Sequence, residues 1–235
     1  MHLGLIGGIG PAATVVYYQR LTDLMRKRDN RLELTIVQAD VYDLLKNNLA
    51  DQRDAQAAIY AKLIERLKAA GADCAAITSL GGHFCFAETA ETTVLPLISA
   101  VTPLDDYFAA QGLKRVGLLG TEVVMRTRLY GQLEKTEAVA PAGDLDTLGK
   151  LYQDMAISGI CTDEQRQVFF EAGHKMFEDQ GAEAIILAGT DLNLAFDGRH
   201  DPGYPVIDAL DVHVAVLADL ASGVKTIDTL NTGQP

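Results

Sequence analysis

The sequence predicts an α/β protein built from two pseudo-symmetric three-layer α/β domains with parallel sheets. Short apolar runs of strand length alternate with amphipathic helical stretches. Strand after strand stops at glycine or small polar residues that open a helical segment, as at Ile77-Thr78-Ser79-Leu80-Gly81-Gly82-His83. The pattern then recurs in order: Leu3-Gly4-Leu5-Ile6-Gly7 is echoed by Val116-Gly117-Leu118-Leu119-Gly120, and Leu95-Pro96-Leu97-Ile98 by Tyr204-Pro205-Val206-Ile207. Between them, the segment 71–79 is echoed by 181–189 with the same spacing from its leading glycine. All three echoes are offset by about 110 residues. A period of that length means a duplicated domain, since solenoid repeats are far shorter.

Taken in order, residues 2–6 read as a buried strand and 7–10 as its turn, with Pro11 at the first position of a helix running to about Arg28. Strands follow at 34–37, 74–78, 94–98, 116–119 and 184–188, and helices at 54–70, 104–110, 164–180 and 212–221. The tail from Lys225 has little apolar pattern and reads as frayed. The last helix follows the final strand of the second half, so the C-terminus is expected to pack back against the first. The expected domains are residues 1–100 with 212–235, and residues 101–211.

Composition narrows the function. The 235 residues are 48% hydrophobic and 22% charged, ordinary for a soluble globular enzyme. A net charge of -12 argues against nucleic-acid or anionic-membrane partners. No apolar run is long enough to span a bilayer, and the start, Met1-His2-Leu3-Gly4, lacks a secretory pattern. Cys74, Cys85 and Cys161 are scattered, which predicts reduced thiols in a cytoplasmic protein. No His or Cys spacing suits a metal.

Ligands of open parallel sheets bind where strand ends meet helix N-termini. The two matched strand ends, at Ser79 and at Gly189, therefore suggest one site shared by two halves. Gly8-Ile9-Gly10-Pro11-Ala12-Ala13, with Asp40 ending the second strand, fits a dinucleotide fingerprint on paper. The equivalent turn at Gly120-Thr121-Glu122 puts a carboxylate where a pyrophosphate would lie, which favours a tight or carboxylate-binding turn. Arg53 reads either as a clamp for a ligand carboxylate or as a solvated residue beside a cap at Asp51 or Asp54, and Arg126 and Arg128 face the same choice. His83 reads either as a base or relay or as a histidine fixing local structure.

Gly7-Gly8-Ile9-Gly10-Pro11-Ala12-Ala13-Thr14 with Tyr17-Tyr18 resembles the opening G-G-M-G-P-x-A-T and Tyr-Tyr pair of the aspartate/glutamate racemase family. The likeness continues at Gly71-Ala72-Asp73, at Val116–Thr121 with Met125, and at Pro205-Val206-Ile207-Asp208 with His213. The resemblance implies an active-site cleft between two domains, a homodimer, and no cofactor, neither pyridoxal phosphate nor metal. The family's two catalytic cysteines lie in C-N-T-x-H and G-C-T-E. Here those motifs become Ser79-Leu80-Gly81-Gly82-His83 and Ala188-Gly189-Thr190-Asp191, and both thiols are gone. Cys74, five residues before Ser79, falls roughly 16 Å back along its strand. The expected ligand is a small amino acid or dicarboxylate, and the expected chemistry is altered. His83 or Asp191 would act as base and Ser79 as donor or water-holder. Gly8, Ile9, Leu80, Gly81, Thr121, Thr190 and Arg53 would form the substrate cradle, with Gly189 leaving room where a cysteine would stand. The alternative is a non-catalytic carboxylate-binding protein on the same fold.

Overall fold

The computed structural model describes residues 1–8 and 10–230. The chain divides into two compact units, one formed by residues 1–102 with the chain from Asp211 onward, the other by residues 103–210.

The first unit opens with β1 (His2–Gly7), whose side chains from Leu3 onward are buried. Such an apolar run suits a strand covered on both faces. Pro11 starts α1 (Pro11–Lys27), where its fixed φ fits and its missing N–H costs nothing. β2 (Glu33–Gln38) is half-exposed because it is an edge strand. α2 (Val41–Leu49) and α3 (Arg53–Ala69) lead to β3 (Cys74–Ile77), followed by a 3-10 turn at Gly81–Cys85 and α4 (Phe86–Thr92). β4 (Leu97–Ile98) completes a four-stranded sheet of order β2-β1-β3-β4. Every pair in it is parallel.

The second unit repeats that plan. α5 (Thr102–Ala110) crosses into it, then come β5 (Arg115–Gly120), α6 (Glu122–Thr127), β6 (Glu137–Val139), α7 (Leu145–Ser158) and α8 (Asp163–Gln180). β7 (Ala184–Ala188) and β8 (Val206–Asp208) follow, in a parallel sheet of order β6-β5-β7-β8. The repeated sequences thus occupy equivalent strands: β1 with β5, β3 with β7, β4 with β8. The core of this unit gathers Leu119, Met125, Tyr152, Met155, Phe169, Met176 and Ile185.

The chain then returns to the first unit in α9 (Ala209–Ala221). Tyr17 and His213 meet at 2.7 Å, Arg20 pairs with Asp211, and Arg28 pairs with Asp219. α10 (Ile227–Leu230) stands where the sequence read as frayed, and residues 231–235 lie outside the described residues. α2, β6 and α7 are elements that apolar periodicity did not predict.

Candidate functional site

At the end of β3, hydroxyl groups knit the first unit together. Thr78 Oγ1 donates to the Ile6 carbonyl at 3.0 Å, and it lies 3.2 Å from Thr14 Oγ1. Thr14 Oγ1 in turn accepts the Gly8 N–H at 3.2 Å. Gly8 is required by conformation and by space: its φ is +93°, and a β-carbon there would stand 2.3 Å from the Ala39 carbonyl oxygen. The amide of Gly8, a residue expected in the substrate cradle, is therefore occupied within the protein. Ile9, its expected partner in the cradle, lies outside the described residues. Asp40 caps α2 by accepting from Tyr42 N and Asp43 N.

Ser79 is buried, and its Oγ accepts the Gly82 N–H at 3.2 Å. Leu80 is fully buried, and its carbonyl accepts from His83 N. The Gly81 carbonyl accepts from Asn48 Nδ2 at 3.3 Å. His83 itself is 3% exposed, with its ring stacked on Phe86. Its Nδ1 lies 2.6 Å from the Ser79 carbonyl, which can only accept, and its Nε2 lies 3.0 Å from the Ala100 amide, which can only donate. The two contacts fix a neutral ring with the proton on Nδ1. Burial pushes its pKa down to about 4, opposed by the Ser79 carbonyl. Through Nε2, His83 accepts from the Ala100 amide with the lone pair that a base would need. It ties the loop after β4 to the end of β3.

Arg53 starts α3, half-exposed, with Nε 2.8 Å from Asp51 and Nη1 3.7 Å from Glu88. Its carboxylate partners are the protein's own. Gln52, rather than Asp51 or Asp54, stands at the helix cap position. The remaining thiols are poor nucleophiles where they sit. Burial raises Cys74 and Cys85 to about 11, and Cys85 lies in the 3-10 turn before α4.

In the second unit the corresponding strand end is β7, followed by a 3-10 turn at Thr190–Leu194. Thr121 caps α6, its Oγ1 accepting from Val124 N at 3.4 Å. Thr190 and Asp191 are each 1% exposed. Arg126 pairs with Glu122 and Asp146 on the exposed side of α6.

The room expected at Gly189 is filled. A β-carbon built there would stand 2.5 Å from Cε2 and 2.8 Å from Cζ of Tyr152, and 2.9 Å from Gly120 Cα. The phenol of Tyr152, on α7, donates to Asp191 Oδ2 at 3.2 Å and accepts the Asp191 N–H at 3.4 Å. Burial, then the nearby Asp191 carboxylate, raises its pKa well above the usual phenol value, so it stays a neutral donor. Sequence reasoning missed Tyr152. Its signal was indirect: a glycine at a packed strand end implies that another side chain fills the gap.

Among the described residues, no group of three or more His, Cys, Asp and Glu side chains is arranged to hold a metal ion, and no helix is long and apolar enough to cross a membrane.

Residues 6–217 match the family model described as Asp/Glu/Hydantoin racemase. The chain belongs to that family. An aspartate racemase homologue from Pyrococcus horikoshii OT3 shares 23% identity over 94% of this chain and 99% of its own, with a TM-score of 0.73. The aspartate racemase of Picrophilus torridus shares 20% over 95% of each chain, TM-score 0.70. A Francisella tularensis glutamate racemase, solved with D-glutamate, shares 15% over 99% of this chain and 84% of its own, TM-score 0.67. At these identities the solved structures establish the racemase fold. The Asp/Glu/hydantoin racemase match extends through both repeats, and so includes the strand ends at Ser79 and Gly189.

Proposed function

We propose that the protein is a cofactor-independent enzyme of the racemase family that acts on a small amino acid or dicarboxylic acid by proton transfer at a single face of the α-carbon. The observation that carries this reading is Asp191, a buried carboxylate held by a phenol at the end of β7, in a chain matched to the racemase family over residues 6–217. The positions read as the family's cysteines carry Ser79 and Gly189, so a two-thiol exchange has no thiols to use. Cys74 and Cys85 are buried with raised pKa values. With the Nε2 lone pair of His83 engaged by the Ala100 amide, Asp191 is the better base of the two that the sequence offered.

In this reading the Asp191 carboxylate takes the α-proton, breaking the C–H bond. The electron pair moves into the substrate carboxylate as an enediolate, and a proton returns to the same face after exchange with solvent. Thr121 and Thr190 hydroxyls serve the ligand's oxygens. The reading extends to a cytoplasmic homodimer with no nucleic-acid partner, consistent with the acidic charge and the family.

The test is incubation in D₂O with each enantiomer of aspartate, glutamate and related diacids, following the α-proton by NMR. Loss of the α-proton signal with retained configuration is expected. Scrambling of both enantiomers would mean a two-base reaction and remove the single-base reading. A second reading, a carboxylate-binding protein, draws on the filled space at Gly189 and the engaged nitrogens of His83. Ligand binding without exchange would select it.

A further inference from the structure

We propose that Tyr152 is the positioning residue of the β7 strand end: its ring takes the side-chain volume of position 189 and its hydroxyl holds Asp191 in place. The inference rests on the reading of Asp191 as the base, and it adds the residue that would make Asp191 usable.

Two independent contacts carry it. The first is steric. Gly189 has an extended backbone, φ -130° and ψ 116°, which any residue can adopt, so no conformational demand selects glycine there. What selects it is space, because the Tyr152 ring edge lies 2.5 Å, and the Gly120 Cα 2.9 Å, from where a β-carbon would stand. Positions 152 and 189 therefore form one packing unit, with a large side chain on the helix and none on the strand. The second contact is polar. Tyr152 uses its hydroxyl twice on one residue, as donor to Asp191 Oδ2 and as acceptor from Asp191 N. Those two bonds join the phenol to both the carboxylate and the backbone at the first turn of the Thr190–Leu194 segment.

A hydrogen bond donated to a carboxylate favours its charged form. The Tyr152 hydrogen bond therefore works in favour of the charged form in a place with 1% exposure, where burial alone would favour the neutral acid. A carboxylate that must take a proton has to begin charged. The phenol also limits its rotation, which suits attack on one face.

The experiment reads Asp191 without ligand or turnover. The side-chain carboxyl carbon of Asp191, assigned by its loss in Asp191→Asn, is followed by ¹³C NMR against pH in the wild type and in Tyr152→Phe, which keeps the ring. The Asp191 midpoint is expected to rise by about one pH unit in Tyr152→Phe, with the melting temperature lowered only modestly. Gly189→Ala, which pushes the ring aside, is expected to raise it in the same direction. An unchanged midpoint in Tyr152→Phe overturns the proposal. A Gly189→Ala protein with the wild-type midpoint and stability overturns its steric half. If α-proton exchange is absent while these midpoints move as expected, the single-base reaction fails and the positioning role stands.

Discussion

At the residue scale, Gly189 shows how much a missing side chain can say. Its absence reads from the sequence as open space, and the structure shows the opposite: the ring of Tyr152 already stands there. Installing a cysteine at 189 alone must therefore move a buried aromatic ring. Gly189→Cys is expected to lower stability by about 2 kcal/mol, within the range for overpacking, measured by urea denaturation. Tyr152→Ala with Gly189→Cys is expected to be more stable than the sum of the two single changes, because each relieves the defect of the other. Strict additivity would show that the two positions are independent. The same scale explains why the location of the strand ends was readable and the roles of their residues were not. Ser79, Gly189, Thr190 and Asp191 follow apolar runs that any strand search finds. Whether His83 has an open nitrogen depends on the Ala100 amide, 17 residues away in sequence, and no local pattern reports that.

At the scale of elements, side chains that satisfy backbone amides decide which loops hold. Asp105 on α5 is the strongest instance: it accepts N–H bonds from Glu134, Lys135 and Thr136 at 2.9 to 3.2 Å while only 7% exposed. The segment leading into β6 hangs from this one carboxylate. Asp105→Ala would strand three N–H groups, and a loss of about 3 kcal/mol is expected, read from denaturant unfolding. Thr162 makes a lesser contribution. It caps α8 in a capping box with Gln165, and Thr162→Ala is expected to cost about 1 kcal/mol. A Thr162→Ala loss equal to that of Asp105→Ala would argue that loop anchoring adds nothing beyond a cap. Elements of this kind were the hardest to foresee. α8 and α3 announce themselves by length, but α2 is short and carries Asn47-Asn48, and β6 is a three-residue edge strand held by its neighbours. α7 is longer, and its ends are set by Asp144 and the left-handed Gly159, cues that the apolar pattern alone does not carry.

At the scale of the molecule, the duplication was legible because strand sequences that are buried on both faces tolerate little change. β1 and β5 hold Leu-Gly-Leu-Ile and Val-Gly-Leu-Leu, and the two sheets share one strand order. What the repeat did not show is how differently its halves use histidine. The first unit buries two of them. His213 is fully buried, its pKa lowered to about 3 by burial and then by His83, and it faces Tyr17 and the Ile98 carbonyl. His83, at about 4, faces the Ser79 carbonyl, the Ala100 amide and the Phe86 ring. Both folded values lie below the unfolded value of about 6.5, so the unfolded chain binds more protons in that range and stability rises with pH. Their contribution is complete above about pH 6.5 and is lost as pH falls toward 4. By pH 5 each histidine is expected to have removed about 2 kcal/mol. Urea midpoints measured between pH 7.5 and 5 should fall accordingly, and His213→Gln should flatten the slope. A slope unaltered in that variant would place the acid sensitivity elsewhere.

The return of α9 to the first unit also fixes an order of assembly during synthesis. The second unit is one unbroken stretch, so all four of its strands have been made once Asp208 is added. The first unit, although it begins the chain, must wait for Asp211, His213 and Asp219 before Arg20, Tyr17 and Arg28 find their partners. The half that starts first is the half that finishes last. Until then the inner face of α1, with Tyr17 at its centre, lacks the helix that closes it, which makes the newly made N-terminal segment the part most in need of protection as the chain emerges.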